Sequence, residues 1–219
     1  MEHSDLTATC AVEPIFEFTH LDNSDMRGAS LSSGDFESAD LENALLTNAN
    51  LAHGHFENAH LDGVSGTAVR FSNSKFMQAT MEHVSLANAY LEGSDLTNID
   101  LENSHLEFSI LERASLKHAD LSGVSFRKAD LFGADLSESN LKDADLTGAD
   151  LRGANLSGSE NLESLKSVVG ANLAGARGLT RAMISHLQEQ GAILDAHQPH
   201  RPFEMVSNDC MSTVGHHNR

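Results

Sequence analysis

Residues 119–158 read ADLSG VSFRK ADLFG ADLSE SNLKD ADLTG ADLRG ANLSG when they are divided into groups of five. A large apolar residue is at the centre of every group, and a smaller residue lies two positions before it. The central residues are Leu121, Phe126, Leu131, Leu136, Leu141, Leu146, Leu151 and Leu156. A period of five fits neither the period of a helix nor that of a strand. Its persistence indicates stacked structural repeats.

The same phase extends back towards the N-terminus, where large apolar residues recur every five positions from Phe16 onwards. One centre fails, because position 66 is Gly66. A missing central side chain predicts a local bulge or inward fold of the chain, next to Val64 and Val69. Leu6 is also in phase, so residues 1–13 are predicted to form an N-terminal cap or an incomplete coil.

The repeats ADLEN, ANLAH, ADLSG, ADLFG, ADLTG, ADLRG and ANLSG follow the pattern A(D/N)LXX, and in this the sequence resembles the pentapeptide-repeat family. The resemblance covers about two thirds of the chain. It implies an all-β fold for residues 14–158: a right-handed, quadrilateral parallel β-helix with four pentapeptides per coil. It also implies that the central residue and the small residue before it point inward.

Residues twenty positions apart then stack in columns, about 4.8 Å apart. One inward column begins with four aromatic residues, which predicts a ladder of ring contacts. These residues are Phe16, Phe36, Phe56 and Phe76.

The repeat phase ends at Asn161. For residues 159–195 we predict a loop that leaves the rod over 160–170, a partial repeat (ANLAG) and a capping helix in LTRAMISHLQEQG. Thr180 is the predicted N-cap and Gly191 the C-terminal stop. The helix would cover the unpaired edges of the last coil. Residues 196–219 have no period and are predicted to be disordered.

The formal net charge is −18. This charge argues against direct nucleic-acid binding and favours a protein partner with a basic surface. Cys10 and Cys210 lie near opposite ends of the sequence, which argues against a structural disulfide and fits a cytoplasmic location. No apolar run is long enough to span a bilayer, so no membrane association is predicted.

One outward column is acidic. The residues after five successive centres are Asp22, Glu42, Asp62, Glu82 and Glu102, and neighbouring outward positions add Asp40, Asp100 and Asp120. One charge per ~4.8 Å approaches the one phosphate per ~3.4 Å of a DNA strand, which favours a DNA-mimicking surface for partner binding. The alternative is a solvated face that keeps a strand-rich rod soluble.

Some pentapeptide-repeat proteins mimic duplex DNA and bind type II topoisomerases, protecting DNA gyrase from quinolones. A resemblance to that branch implies a type II topoisomerase such as gyrase as the partner, and a homodimer through the C-terminal region. The sequence departs from that branch in its regular ADLXX repeats and in having no recognisable protruding loop, unless 160–170 is one. The alternative is a generic interaction scaffold, regulator or bacterial effector that recognises shape.

The histidines offer a further candidate site. His53, His55 and His60 lie close together in AHGHFENAH, and His20, Asp40 and His60 share one outward column. Such groups of side chains can bind zinc or copper weakly. We prefer the interpretation that these histidines are surface residues in outward positions that can vary freely. We therefore predict no metal and no cofactor. No Ser-His-Asp spacing, Gly-rich phosphate loop or CxxC is present, and the chain is predicted not to be an enzyme.

Overall fold

The computed structural model describes residues 1–194. Parallel bridges join residues twenty positions apart, without interruption from Asp5–Asp25 to Asn140–Glu160. Each five-residue repeat forms one side of a coil, so four repeats complete one turn of a four-sided parallel solenoid. The predicted repeat solenoid is confirmed. Its β-structure, however, consists of isolated bridges separated by turns, and no continuous strand occurs in residues 1–194.

A tight turn follows every central residue and sets the corner of the coil. In a representative turn, the Ser24 N–H donates to the Leu21 carbonyl at 3.1 Å, and Asn23 has a positive φ of 55°. A positive φ at the third residue is typical of a type II turn, and Asn and Gly tolerate it best. The Asn23 N–H then donates to the Glu42 carbonyl of the next coil at 2.8 Å. The dense Asn and Gly content therefore has a structural cause.

The core fills the inside of the tube. The central residues from Leu21 to Leu156 are buried, as are nearly all of the smaller residues two positions before them. The predicted aromatic ladder is confirmed: ring centroids are 5.0 Å apart for Phe16–Phe36, 4.7 Å for Phe36–Phe56 and 4.8 Å for Phe56–Phe76. Phe71, from a different side, packs edge-on against Phe56 and Phe76.

The expected bulge at Gly66 is wrong. Ser65 bridges both Leu45 and Ser85, and the Gly66 N–H donates to the Ser85 carbonyl at 2.8 Å. A Cβ atom at Gly66 would lie 3.1 Å from both Leu86 and Val69. The side chains of neighbouring residues therefore fill the missing volume, and the backbone keeps its register.

The first residues belong to the same ladder as the repeats. Asp5 bridges Asp25, and the His3 N–H donates to the Asp22 carbonyl at 3.0 Å. Leu6 and Phe16 are partly buried against the core. Cys10 is disulfide-bonded. The expectation of no disulfide is therefore wrong, and the cysteines give no support for a reducing compartment.

The predicted loop at 160–170 is also wrong, because this segment stays on the rod. Two extra residues are absorbed by a 3-10 helix at Leu162–Ser164, and the bridges then join residues 22 apart, as in Asp145–Ser167 and Asp150–Asn172. Leu162 and Val168 are buried. An insertion of two residues is short enough for a single tight turn to accommodate it.

The helix α1, Arg181–Glu189, covers the last coil. The Thr180 side chain accepts a hydrogen bond from the Met183 N–H at 3.3 Å, which confirms the predicted N-cap. Leu187 is fully buried, and Met183 packs against the core from the same helix. Residues 196–219, predicted to be disordered, lie outside the described residues.

Candidate functional site

The acidic face is the side of the solenoid whose central residues are Leu21, Leu41, Leu61, Met81 and Leu101. The acidic column, defined as Asp22, Glu42, Asp62, Glu82 and Glu102, occupies the position after each of these centres. Successive coils are joined at this point: the Asn43 N–H donates to the Asp62 carbonyl, and the Gly63 N–H donates to the Glu82 carbonyl, both at 2.9 Å. The structure therefore places all five carboxylates on one face, one per coil.

Three flanking acids lie beside this column, and they also bind backbone. Asp40, Asp100 and Asp120 precede the central residues. Asp40 accepts a hydrogen bond from the Glu42 N–H at 3.1 Å, and Asp100 accepts one from the Glu102 N–H at 3.0 Å. Aspartate at this position of a repeat therefore satisfies a turn N–H that would otherwise face solvent.

Asp62 has a different set of contacts, which the sequence did not reveal. It accepts hydrogen bonds from the Thr80 hydroxyl and from the Glu82 N–H, each at 2.8 Å. Thr80 stands where many other repeats have Asp or Asn, so the Glu82 N–H has no such acceptor within its own repeat. A carboxylate from the preceding coil takes that place. The signal was the Thr in an Asp position, read together with the coil spacing.

Mutual repulsion among these carboxylates raises the pKa of Glu82. The largest cause is the charge of Asp100, followed by partial desolvation and the charges of Asp62 and Glu102. His83 acts in the opposite direction. Because like charges oppose ionisation, the charge of Glu82 is disfavoured by the carboxylates around it.

The column is longer than the sequence indicated. Residues 1–20 form a coil in register with the others, so Glu2 occupies the position that Asp22 occupies on the next coil. At the opposite end, Ser122 and Lys142 end the run of acids. We missed Glu2 because residues 1–13 carry few recognisable repeat residues.

A small group of possible metal ligands lies at the N-terminal end of the acidic face. Ligand atoms of His20, Asp22 and Asp40 are all within 4.8 Å of one another. Among residues 1–194 no other group of three comes this close, so His53, His55 and His60 do not converge. His20 is exposed, and exposed groups of this kind commonly occur without a metal.

Two shallow concavities lie away from the acidic face. A pocket of about 220 Å³ between α1 and the 3-10 helix is lined by Leu162, Met183, His186 and Leu187. A groove of about 350 Å³ is lined by residues that include Tyr90, Phe108, Ile110 and Lys128.

Within residues 1–194, the structure contains no helix with the length and apolar character that a membrane span requires.

The family follows from the repeats themselves. The model described as "Pentapeptide repeats" matches residues 16–48 and 125–160, and "Pentapeptide repeat region" matches residues 49–126. The chain belongs to the pentapeptide-repeat family. Membership gives the solenoid its right-handed β-helical form, and pentapeptide-repeat proteins are generally structural or binding proteins without catalytic activity.

Solved pentapeptide-repeat structures resemble the chain, whereas no curated protein matches it. HetL from Nostoc sp. strain PCC 7120, involved in heterocyst differentiation regulation, is 22% identical over 80% of this chain and 89% of its own, with a TM-score of 0.39. QnrB1, a plasmid-mediated fluoroquinolone resistance protein, is 19% identical over 82% and 96%, with a TM-score of 0.39. TM-scores this low carry no inference about partner or activity.

Proposed function

We propose that this pentapeptide-repeat protein is a non-enzymatic binding protein whose acidic face contacts a basic, DNA-binding surface of another protein. The stacking of Asp22, Glu42, Asp62, Glu82 and Glu102 at one carboxylate per coil carries the proposal. The coil spacing of ~4.8 Å is near the ~3.4 Å phosphate spacing of a DNA strand. A surface that binds the DNA backbone therefore meets a comparable row of charges here.

A type II topoisomerase such as DNA gyrase is the candidate partner. It binds DNA through a basic surface, and the net charge of −18 favours encounter with such a surface while opposing direct contact with nucleic acid. The raised pKa of Glu82 supports the same proposal, because a cationic partner would lower the repulsion from Asp100 and Asp62. Asp40, Asp100 and Asp120 would contribute charge although they also bind turn N–H groups.

The test is gyrase supercoiling in the presence of the protein, at two salt concentrations and with or without a quinolone. The wild type should inhibit supercoiling or protect the enzyme from the drug, and high salt should weaken either effect. The triple variant Asp62→Asn, Glu82→Gln and Glu102→Gln should lose at least about tenfold in potency. The amides keep an acceptor oxygen for the Glu82 N–H, so folding is preserved.

A matched control removes the same charge elsewhere. Glu13, Glu37 and Glu138 are exposed and lie off the acidic face. Replacing these three with Gln should leave the effect on gyrase unchanged. Equal loss of potency in both triple variants would show that total charge matters rather than the acidic column, and would refute this proposal.

The second candidate is an interaction scaffold that recognises the shape of the rod. The observation in its favour is that Asp40, Asp62 and Asp100 have structural hydrogen bonds, so their presence has a cause other than partner binding. A shape-recognising partner would bind the triple variant and the wild type equally and would tolerate salt. Pull-down with each immobilised protein separates these outcomes.

We also propose that the C-terminal region forms a homodimer through α1. Leu187 faces the core, whereas Ile184 is partly exposed on the same helix. Light scattering should give the mass of a dimer for the wild type and of a monomer for Ile184→Glu. A monomeric wild type at tens of micromolar would exclude this contact.

A further inference from the structure

Four histidines lie on the acidic face, on both sides of the acidic column. His20 and His60 precede the central residues Leu21 and Leu61, and His3 and His83 occupy the third position of their turns, where φ is positive. In the chain, His3 follows Glu2 and His83 follows Glu82. His20 and His60 lie two residues before Asp22 and Asp62. No lysine or arginine is present on this face between residues 1 and 140, so these histidines are its only side chains that can become cationic.

His20 is in contact with carboxylates at the N-terminal end. Its Nδ1 atom lies 3.7 Å from Asp40 Oδ2, and Asp22 is part of the same group of side chains. His20 is also 69% exposed, so proton exchange with solvent is open. No lysine or arginine is placed on this part of the face to oppose its protonation.

His60 and His83 are coupled to the middle of the column. His60 Nδ1 lies 3.4 Å from the Thr80 hydroxyl, which donates to Asp62 at 2.8 Å. Asp40, on the preceding coil, bridges His60 directly through the backbone. His83 follows Glu82, and its charge is among the interactions that act on this carboxylate, together with Asp62, Asp100 and Glu102.

Imidazole is the side chain that gains a charge between about pH 8 and about pH 5, a range in which carboxylates stay largely ionised. Protonation of these four histidines would place four positive charges among nine carboxylates, namely the five of the column, Glu2, Asp40, Asp100 and Asp120. The net negative charge of the face would fall by nearly half while the solenoid kept its shape.

We propose that these four histidines make the acidic face a pH-gated binding surface, which holds a cationic partner at about pH 7.5 and releases it on mild acidification. This inference rests on the proposed function, because it concerns regulation of the same surface. His3, His20, His60 and His83 are the gating residues.

A probe of constant charge tests the gate. An oligoarginine peptide labelled with tetramethylrhodamine keeps the same charge throughout the range, so any pH dependence of its binding comes from the protein. Fluorescence anisotropy should show wild-type binding about tenfold weaker at about pH 5.5 than at about pH 7.5. The variant His3→Asn, His20→Asn, His60→Asn and His83→Asn should bind at both pH values with nearly equal affinity.

Asparagine is compatible with the fold at all four sites. Asn23, Asn43 and Asn103 occupy the column of His3 and His83, and Asn140 occupies the column of His20 and His60. The control variant replaces two histidines in turn positions and two in bridge positions on other sides, namely His53, His118, His55 and His105. It should keep the wild-type pH dependence.

Three outcomes would overturn the gate: pH-independent binding by the wild type, persistent pH dependence in the acidic-face variant, or loss of it in the control. Salt-sensitive but pH-independent binding would reject the gate and leave the proposed function standing.

Discussion

Where an aspartate or asparagine precedes a central residue, its side chain accepts a hydrogen bond from the backbone N–H two residues later, as Asp40 and Asp100 do. Asp145 shows the arrangement in its most buried form: it accepts from the Thr147 N–H at 3.0 Å and from Arg127 at 3.1 Å. Burial would raise the pKa of Asp145, but hydrogen bonds from Thr147 and Arg127 outweigh it and lower the pKa. The aspartates before the centres are therefore structural residues first, and among the acids of the column Asp62 also binds a backbone N–H.

Glu82 shows the opposite effect, and it leads to a prediction on stability. Its pKa is raised chiefly by Asp100, then by desolvation, Asp62 and Glu102. A raised folded-state pKa means that stability is complete below the ordinary pKa of glutamate and is lost as the pH rises through the folded value. Glu82→Gln should therefore raise the melting temperature at pH 7, because it removes the repulsion.

The gain from Glu82→Gln should vanish near pH 4, where Glu82 is protonated in both states. High salt should also reduce it. Thermal unfolding followed by circular dichroism measures both dependences. Glu163→Gln, in the 3-10 helix away from the column, is the control and should change little. An equal gain for Glu82→Gln at pH 4 and pH 7 would contradict the electrostatic cause.

At the scale of the repeat, the solenoid tolerates residues that depart from the repeat pattern, because each side of a coil packs against the coils above and below it. Buried serines in the small inward position illustrate this. The Ser94 hydroxyl donates to the Phe71 carbonyl at 2.8 Å, and the Ser104 hydroxyl donates to the Met81 carbonyl at 2.9 Å. A buried hydroxyl with a partner costs little, so serine replaces alanine without disturbing the register.

Gly66 is the strongest departure from the repeat, and restoring the expected leucine should be harmful. A Cβ atom there already lies 3.1 Å from Leu86 and Val69, so Gly66→Leu should overpack the core and lower the free energy of unfolding by about 1–3 kcal/mol. Urea denaturation measures this change. Gly66→Leu combined with Val69→Ala should recover part of the loss. A stabilised Gly66→Leu would show that the position holds an unfilled cavity.

Across the whole molecule, one end of the rod has a dedicated cap within the described residues. The helix α1 buries Leu187 against the last coil, and the Ile193 bridge to Asn172 adds a final partial turn. An uncovered coil would present unpaired backbone groups and apolar side chains together, which promotes edge-to-edge association.

Leu187→Asp should therefore release the cap and cause aggregation, because a charge at this buried position is costly. Gln188→Asp changes the next, exposed residue and should leave the protein monodisperse. Size-exclusion chromatography with light scattering compares the two variants. Equal elution of both as single species would show that the cap is dispensable for solubility.

Much of the fold was predictable because the five-residue phase is unbroken from Phe16 to Leu156, and stacked coils convert a linear period directly into neighbours. The ladder of Phe16, Phe36, Phe56 and Phe76 followed from the same arithmetic. The cap helix was predictable from its own capping residue, Thr180. These are features in which local pattern and long-range contact coincide.

The sequence by itself determined the solenoid, its twenty-residue coil and the five carboxylates of the acidic column, since each depends only on periodic spacing. Tertiary structure alone decided how Val69 and Leu86 fill the space at Gly66, how the chain absorbs two residues near Leu162, and how Asp62 binds the Glu82 N–H. Each of these depends on side-chain packing or hydrogen bonding between coils, where alternatives of similar energy compete and the period no longer selects among them.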